Sequence, residues 1–124
     1  MTVVLDAAFL SDTRRGDTKG HALLEELADA GETAIVPSIV AAEYLSGSQD
    51  AEADLDALEA AAVLLSFGKE DAVAAADIAR RLFLRGVFPG WVDVMIAGFA
   101  KARGNLSVVT RNVRHFPETP LRTY

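Results

Sequence analysis

The stretch TAIVPSIVAAEYL, residues 33–45, joins a β-branched run directly to a helical run. Thr33 to Val36 predicts a short buried strand, and Pro37-Ser38 opens a helix that continues to Leu45. A strand that passes straight into a helix is the repeating unit of α/β folds, in which helices connect parallel strands. The same unit recurs on both sides of this stretch.

Strands and helices alternate along the whole chain. Besides the strand at 33–36, apolar runs predict strands at 2–5, 63–67 and 106–109, with a short fifth in the tail. Residues 7–10 are predicted to form a turn, and helical periodicity covers 18–31, 38–45, 50–62, 69–85 and 91–103. Right-handed crossovers between such strands build a mostly parallel sheet. We therefore expect one three-layer α/β/α domain over residues 1–124, with four to five strands in its central sheet.

The composition excludes several classes of protein. The 124 residues are 51% hydrophobic, too apolar for a disordered chain, and they include no cysteine, which excludes a disulfide framework, thiol catalysis and a cysteine zinc site. The two histidines, His21 and His115, are too far apart in sequence to predict a zinc site. No apolar run is long enough to span a bilayer, and the start of the chain lacks a basic leader. We expect a cytoplasmic protein with no membrane association.

The charge is unevenly distributed. The net charge is −6, but residues 1–62 hold 13 acids and 3 bases, whereas residues 63–124 hold 5 acids and 9 bases. The first half therefore carries −10 and the second half +4. A polyanion can approach one side of such a molecule although the net charge is negative. An ordinary soluble surface of mixed charge gives the same numbers.

Four polar groups occupy unusual positions in this pattern. Asp6 ends the first predicted strand, and Asn112 follows the fourth strand after Thr110. Glu43 and Asp93 lie in otherwise apolar helices. Each has an ordinary structural role open to it, because Asp6 and Asp93 can cap helices, Glu43 can reach water and Asn112 can form a turn.

The positions of these groups also fit a common site. The carboxyl ends of parallel strands meet at one edge of a sheet, where ligands bind in open α/β folds. Carboxylates that converge there repel one another unless a cation is bound. Oxygen ligands favour Mg²⁺ or Mn²⁺ over zinc.

Two further polar groups are predicted to have structural roles. Asp77 has Arg80 and Arg81 three and four positions later, the spacing of a helix-surface ion pair. His115 precedes Phe116 and is predicted to anchor a loop rather than to act as a general base.

Four segments resemble PIN-domain ribonucleases, especially VapC-type toxins. They are VVLDAAFL (3–10), PSIVAAEYLSG (37–47), DVMIAGFA (93–100) and VVTRNVRHF (108–116), and the resemblance extends over essentially the whole chain. It implies a PIN-like fold with Asp6, Glu43 and Asp93 in a pocket that binds Mg²⁺ or Mn²⁺. Asn112 stands at a fourth position where many relatives carry Asp, and Thr110 matches a hydroxyl beside the pocket. Ala8 departs from the Asn or Ser usual in relatives.

The resemblance implies a function as well as a fold. It implies a metal-dependent endoribonuclease, the toxin of a type II pair, with a VapB-type antitoxin and a homodimeric state. Arg111 and Arg114 flank Asn112 and are candidates for binding RNA phosphates, although ordinary surface charge accounts for them equally well.

Two alternatives remain open from the sequence, and a third lacks the residues that it requires. A housekeeping PIN nuclease for RNA processing has the same site, and an inactive PIN fold used only for binding is compatible with Asn112 and Ala8. A phosphoacceptor receiver domain is also parallel α/β with an acidic pocket. It requires an acidic residue after the middle strand and a lysine after a later strand, and residues 63–67 and Arg111 provide neither.

Overall fold

A computed structural model describes all 124 residues of the chain. The strands are β1 (Thr2–Leu5), β2 (Thr33–Pro37), β3 (Val63–Leu65), β4 (Ser107–Val109) and β5 (Leu121–Arg122). The helices are α1 (Ala7–Arg14), α2 (Thr18–Asp29), α3 (Ser38–Leu45), α4 (Ala51–Ala61), α5 (Lys69–Arg85) and α6 (Trp91–Ala102), and a single 3₁₀ turn spans Val113–His115.

The five strands form one parallel sheet in the order β3-β2-β1-β4-β5. Val3, Val4 and Leu5 are all buried, and because successive strand residues point to opposite faces, both faces of the sheet are covered. The chain adds β2 and β3 on one side of β1 and then crosses to place β4 and β5 on the other. The predicted α/β/α architecture is confirmed, and its topological switch point lies between β1 and β4.

The predicted element boundaries differ from the structure at two places. Residues 7–10 are not an isolated turn but the start of α1, because Asp6 caps the helix and Phe9 and Leu10 bury its apolar face. The third strand ends at Leu65 rather than at Phe67, whose N–H donates to the Ser38 hydroxyl oxygen at 3.1 Å. The other elements lie within two residues of their predicted bounds.

Helices α5 and α6 pack closely against each other. Gly98 permits this, because a Cβ at this position would lie 2.5 Å from the backbone nitrogen of Ala75. Phe99 and Ile96 bury the apolar side of α6, whose first turn carries Asp93. None of the six helices combines the length and the continuous apolar character that a membrane-spanning segment requires.

Candidate active site

A pocket of about 410 Å³ opens where the carboxyl ends of β1 and β4 meet. Its walls come from the segments that follow β1 and β4 and from the helices α1, α3 and α6. Its polar lining residues are Asp6, Ser11, Arg15, Glu43, Asp93, Arg111, Asn112 and His115. A larger groove of about 600 Å³ runs beside α5, but it contains no comparable convergence of acids. Open α/β sheets bind ligands at their switch point, so the smaller pocket is the candidate site.

Asp6 is the most deeply buried acid of the pocket, with 4% of its surface exposed. Its Oδ1 accepts a hydrogen bond from the Phe9 N–H at 2.8 Å, so the residue caps α1 as its position predicts. Burial raises the pKa of Asp6, and the hydrogen bond from the Thr110 hydroxyl only partly opposes this effect. The negative charge of Glu43 raises it further. Asp6 forms no ion pair, so its charge is uncompensated within the protein.

Asp93 lies in the first turn of α6 with a quarter of its side chain exposed. Burial raises the pKa of this carboxyl, the neighbouring imidazole of His115 opposes the rise, and the charge of Asp6 adds to it. The Nδ1 of His115 lies 3.1 Å from Asp93 Oδ2. His115 is half-exposed in the pocket wall, and its contact with Asp93, which was not predicted from the sequence, joins the 3₁₀ turn to the start of α6.

Glu43 and Asn112 complete the predicted set at the rim of the pocket. Glu43 is solvent-exposed, as its ordinary structural role predicts, yet it also faces the pocket. Asn112 is half-buried, and its backbone N–H donates to the Thr110 hydroxyl oxygen at 2.9 Å. Thr110 itself is fully buried behind the pocket rather than in its lining. Asp6, Glu43, Asp93 and Asn112 therefore meet at one site.

The two predicted phosphate-binding arginines occupy different places. Arg111 lines the pocket, and its Nε donates to Asp12 Oδ2 at 2.7 Å. Arg114 is exposed in a shallow depression beside the pocket and forms no ion pair. Arg15 also lines the pocket, which was not predicted from the sequence. Arg15 forms an ion pair with Asp12, three positions earlier in the chain. This spacing is the only feature of the local sequence that could have indicated the interaction.

The residues of the pocket fit a hard divalent cation by their chemistry. Asp6, Glu43 and Asp93 supply only oxygen donors, and the charge of Asp6 has no cationic partner. As the side chains lie, no three acids or histidines converge closely enough to hold a metal ion. In this arrangement His115 contacts Asp93, and the Phe9 N–H donates to one oxygen of Asp6.

The chain is similar in sequence and in structure to known proteins. The PIN domain family matches residues 3–120. One similar structure is that of VapBC2 from Rickettsia felis, bound to a DNA fragment from the VapBC2 promoter. It is 22% identical to this chain, with a TM-score of 0.83, and the match covers 100% of this chain and 99% of that one. DNA-bound VapBC from Salmonella typhimurium is 25% identical with a TM-score of 0.81, covering 99% and 98%.

A toxin–antitoxin complex from Klebsiella pneumoniae is 18% identical with a TM-score of 0.80, covering 98% of this chain and 96% of that one. Comparison with curated proteins gives no significant match.

Proposed function

The chain belongs to the PIN domain family, and from this membership we propose that it is a metal-dependent endoribonuclease and the toxin of a type II toxin–antitoxin pair. One observation carries the proposal. Asp6, Glu43 and Asp93 line one pocket at the switch point of the sheet, and the most buried of them has no cationic partner. A buried carboxylate without a cationic partner destabilises the fold. A role in binding a cation explains why the protein retains it.

Asp6, Asp93 and Glu43 are the proposed holders of Mg²⁺, with Mn²⁺ as an alternative. When bound, such an ion polarises a phosphodiester and acidifies an attacking water. Thr110 is buried beside Asp6, and the Phe9 N–H fixes the Asp6 carboxylate in place. The exposed Glu43 is proposed to orient the attacking water, and Asn112 lines the same pocket. Asn112 is neutral, so the site carries three negative charges rather than four.

The RNA substrate is proposed to bind through its phosphates. Arg111 is already in the pocket wall and Arg114 lies in the adjoining depression, so both guanidinium groups can reach a bound strand. Guanidinium groups bind phosphates through charge-assisted hydrogen bonds. These arginines compensate for a net charge of −6, which by itself disfavours a polyanion.

The biological role is proposed from the structural neighbours. Two of these solved relatives are VapBC assemblies, and a third is a toxin–antitoxin complex. We extend this to a VapB-type antitoxin as the partner of this chain, to a homodimer, and to the cytoplasm as its location. The match to one family over residues 3–120 supports a single domain over 1–124.

Substitution of Asp93 tests the enzymatic part of the proposal. Purified wild-type protein is expected to cleave total RNA when Mg²⁺ is added, and Asp93→Asn is expected to cleave at least about 100-fold more slowly with an unchanged circular dichroism spectrum. Asp77→Asn is the matched control, because Asp77 lies outside the pocket and pairs with Arg80 and Arg81 as predicted. Cleavage by the Asp93 variant at the wild-type rate contradicts the site. Mg²⁺ binding by a wild-type protein that cleaves nothing supports an inactive binding fold instead.

Expression in a host that lacks an antitoxin tests the toxin role separately. Wild-type protein is expected to arrest growth and Asp93→Asn is expected to leave growth normal. Cleavage in vitro without growth arrest favours a housekeeping nuclease. Coexpression with the product of an adjacent short reading frame is expected to restore growth, and that product is expected to copurify with the chain.

A further inference from the structure

Asp12 is a buried acid that the proposed reaction does not use. It lies in α1, its side chain is 9% exposed, and it accepts hydrogen bonds from three side chains. Arg15 Nη2 donates at 2.6 Å, Arg111 Nε at 2.7 Å and the Tyr124 hydroxyl at 2.6 Å. The last two partners are 99 and 112 positions away in the sequence, so this cluster exists only in the folded protein.

Both arginines held by Asp12 belong to the candidate pocket. The side chain of Arg15 is 63% exposed and that of Arg111 is 52% exposed, whereas the carboxylate between them is covered. Arg111 uses Nε and Nη2 on Asp12, and its Nη1 forms no hydrogen bond within the protein. Each guanidinium is thus anchored on one side and free on the other.

Tyr124 holds the Asp12 carboxylate against the core of the protein. Its ring packs edge-on against Phe9 with centroids 5.0 Å apart and an interplanar angle of 79°. Phe9 is fully buried, and its N–H donates to the Asp6 carboxylate. The Asp12 cluster is therefore connected through α1 to the acid that the proposed function assigns to the metal.

We propose that Asp12 is a positioning residue that sets Arg15 and Arg111 as a pair of phosphate-binding groups in the pocket. The inference rests on the proposed function and adds Arg15, Asp12 and Tyr124 to its RNA-binding apparatus. An arginine that is already held by a carboxylate loses less side-chain entropy when it binds a phosphate. Exposed ion pairs by themselves stabilise a fold little, which leaves orientation as the main effect of the two arginine interactions.

The test measures RNA binding and turnover in the full-length chain. Asp12→Asn preserves the shape of the side chain and an acceptor for Tyr124, but it removes the charge that holds the arginines. We expect its KM for a single-stranded RNA to rise about tenfold while kcat stays within about twofold of wild type. Asp77→Asn is the matched control, because it removes an aspartate with two arginine partners outside the pocket. It is expected to change neither parameter.

Salt dependence distinguishes positioning from a purely structural role. Binding of the same RNA is measured by fluorescence anisotropy in the Asp93→Asn background, in which cleavage is blocked. The slope of log affinity against log salt falls by about 0.7 for each phosphate of a single strand that the protein no longer neutralises, so Asp12→Asn is expected to reduce it by about 1.4. A variant that merely loosens the fold lowers the melting temperature but leaves this slope unchanged, and that result overturns the proposal.

Two more variants keep the test decisive if Asp12→Asn does not fold. Arg15→Ala and Arg111→Ala are each expected to lower the slope by about 0.7, and unchanged slopes in both overturn the proposal. Added to Asp12→Asn, either substitution is expected to have less than its single effect, because the group it removes is already misplaced. Wild-type protein that neither binds nor cleaves RNA overturns the proposed function as well, whereas normal wild-type activity with unaffected variants overturns only this inference.

Discussion

Asp6 and Asp12 are buried aspartates six positions apart, and their surroundings differ in every respect that matters for chemistry. Asp6 is 4% exposed and Asp12 is 7% exposed, so both carboxylates are covered, but Asp6 lies deeper in the fold, whereas Asp12 is covered by arginine side chains that are themselves half-exposed. Burial raises the pKa of Asp6 because no cation compensates for it. Burial also acts on Asp12, but hydrogen bonds from Tyr124 and Arg111, together with the charge of Arg111, hold its pKa below the usual value.

The difference shows how a carboxylate acquires its role. The ionised form of Asp12 is satisfied inside the protein, so this residue is suited to holding other groups in place. The ionised form of Asp6 accepts a hydrogen bond from the Phe9 N–H but has no cationic partner, so this residue is suited to a cation that arrives from outside. A single substitution can alter Asp6 or Asp12 without altering the other, and a divalent cation is expected to affect Asp6 alone.

Removing the charge of Asp6 gives the largest expected effect. Asp6→Asn is expected to slow RNA cleavage about 1,000-fold, which corresponds to about 4 kcal/mol of transition-state stabilisation. Without metal the same variant is expected to melt at a higher temperature than wild type, because Asn still caps α1 and carries no buried charge. Cleavage rates and thermal melts in a chelator measure both effects. A lower melting temperature would show that the charge of Asp6 is compensated after all.

A divalent cation is expected to stabilise the protein by binding at Asp6 and to leave the Asp12 cluster unaffected. At 100 times its dissociation constant, Mg²⁺ stabilises a protein by about 2.7 kcal/mol, which raises the melting temperature of a chain of this size by about 10 °C. Wild type and Asp12→Asn are expected to show this rise, and Asp6→Asn is expected to show little of it. Scanning calorimetry with and without Mg²⁺ is the measurement. Equal rises in all three proteins would place the ion elsewhere.

Removing Asp12 is expected to destabilise the protein. Asp12→Ala leaves the Tyr124 hydroxyl and two guanidinium groups without their acceptor and is expected to cost about 2 kcal/mol at neutral pH, since solvent screens the half-exposed arginines. Urea unfolding measures this loss. Asp77→Ala is the control, because it also removes an aspartate bound to two arginines, but one that is half-exposed.

The pH dependence of the two aspartates has opposite signs. The folded pKa of Asp12 is lowered, so its stabilisation is present above its ordinary pKa of 3.8 and is lost as the pH falls through the folded pKa. The Asp12→Ala deficit is therefore expected to shrink in acid below pH 3.8. The folded pKa of Asp6 is raised, so its destabilisation is present above that pKa and disappears as the pH falls towards 3.8. Urea unfolding of Asp12→Ala and Asp6→Asn between neutral and acidic pH, without metal, measures both trends.

The sequence was sufficient for features with local causes. Short apolar strands that alternate with amphipathic helices predicted a parallel α/β sheet, and the position of Asp6 after β1 predicted both its cap and its place at the sheet edge. The residues also singled out Glu43 and Asp93, but an apolar helix alone does not decide whether its single acid caps the helix, reaches water or lines a site, and the resemblance favoured the site. The structure brings these acids to one pocket.

The parts that could not be predicted depend on residues distant in sequence. Asp12 has the appearance of a helix-surface acid paired with Arg15, and nothing local reveals that Arg111 and Tyr124 close over it. His115 meets Asp93 only because the 3₁₀ turn after β4 lies against the start of α6. The length of α1 was missed for a related reason, since its apolar face is buried by other parts of the fold.

A substitution at Asn112 is expected to have the smallest effect of those considered, and it tests whether an added carboxylate strengthens Mg²⁺ binding in the pocket. Asn112→Asp adds a fourth acid to the pocket that holds Asp6, Glu43 and Asp93, and it removes no member of the Asp12 cluster. We expect about tenfold tighter Mg²⁺ binding by calorimetry, because a carboxylate binds a divalent ion better than an amide does. Without metal the added charge repels Asp6 and is expected to lower stability by less than about 1 kcal/mol. Asn112→Ser, which removes the amide and adds no charge, is the control. Weaker Mg²⁺ binding by the Asp variant would mean that Asn112 faces the bound phosphate rather than the ion.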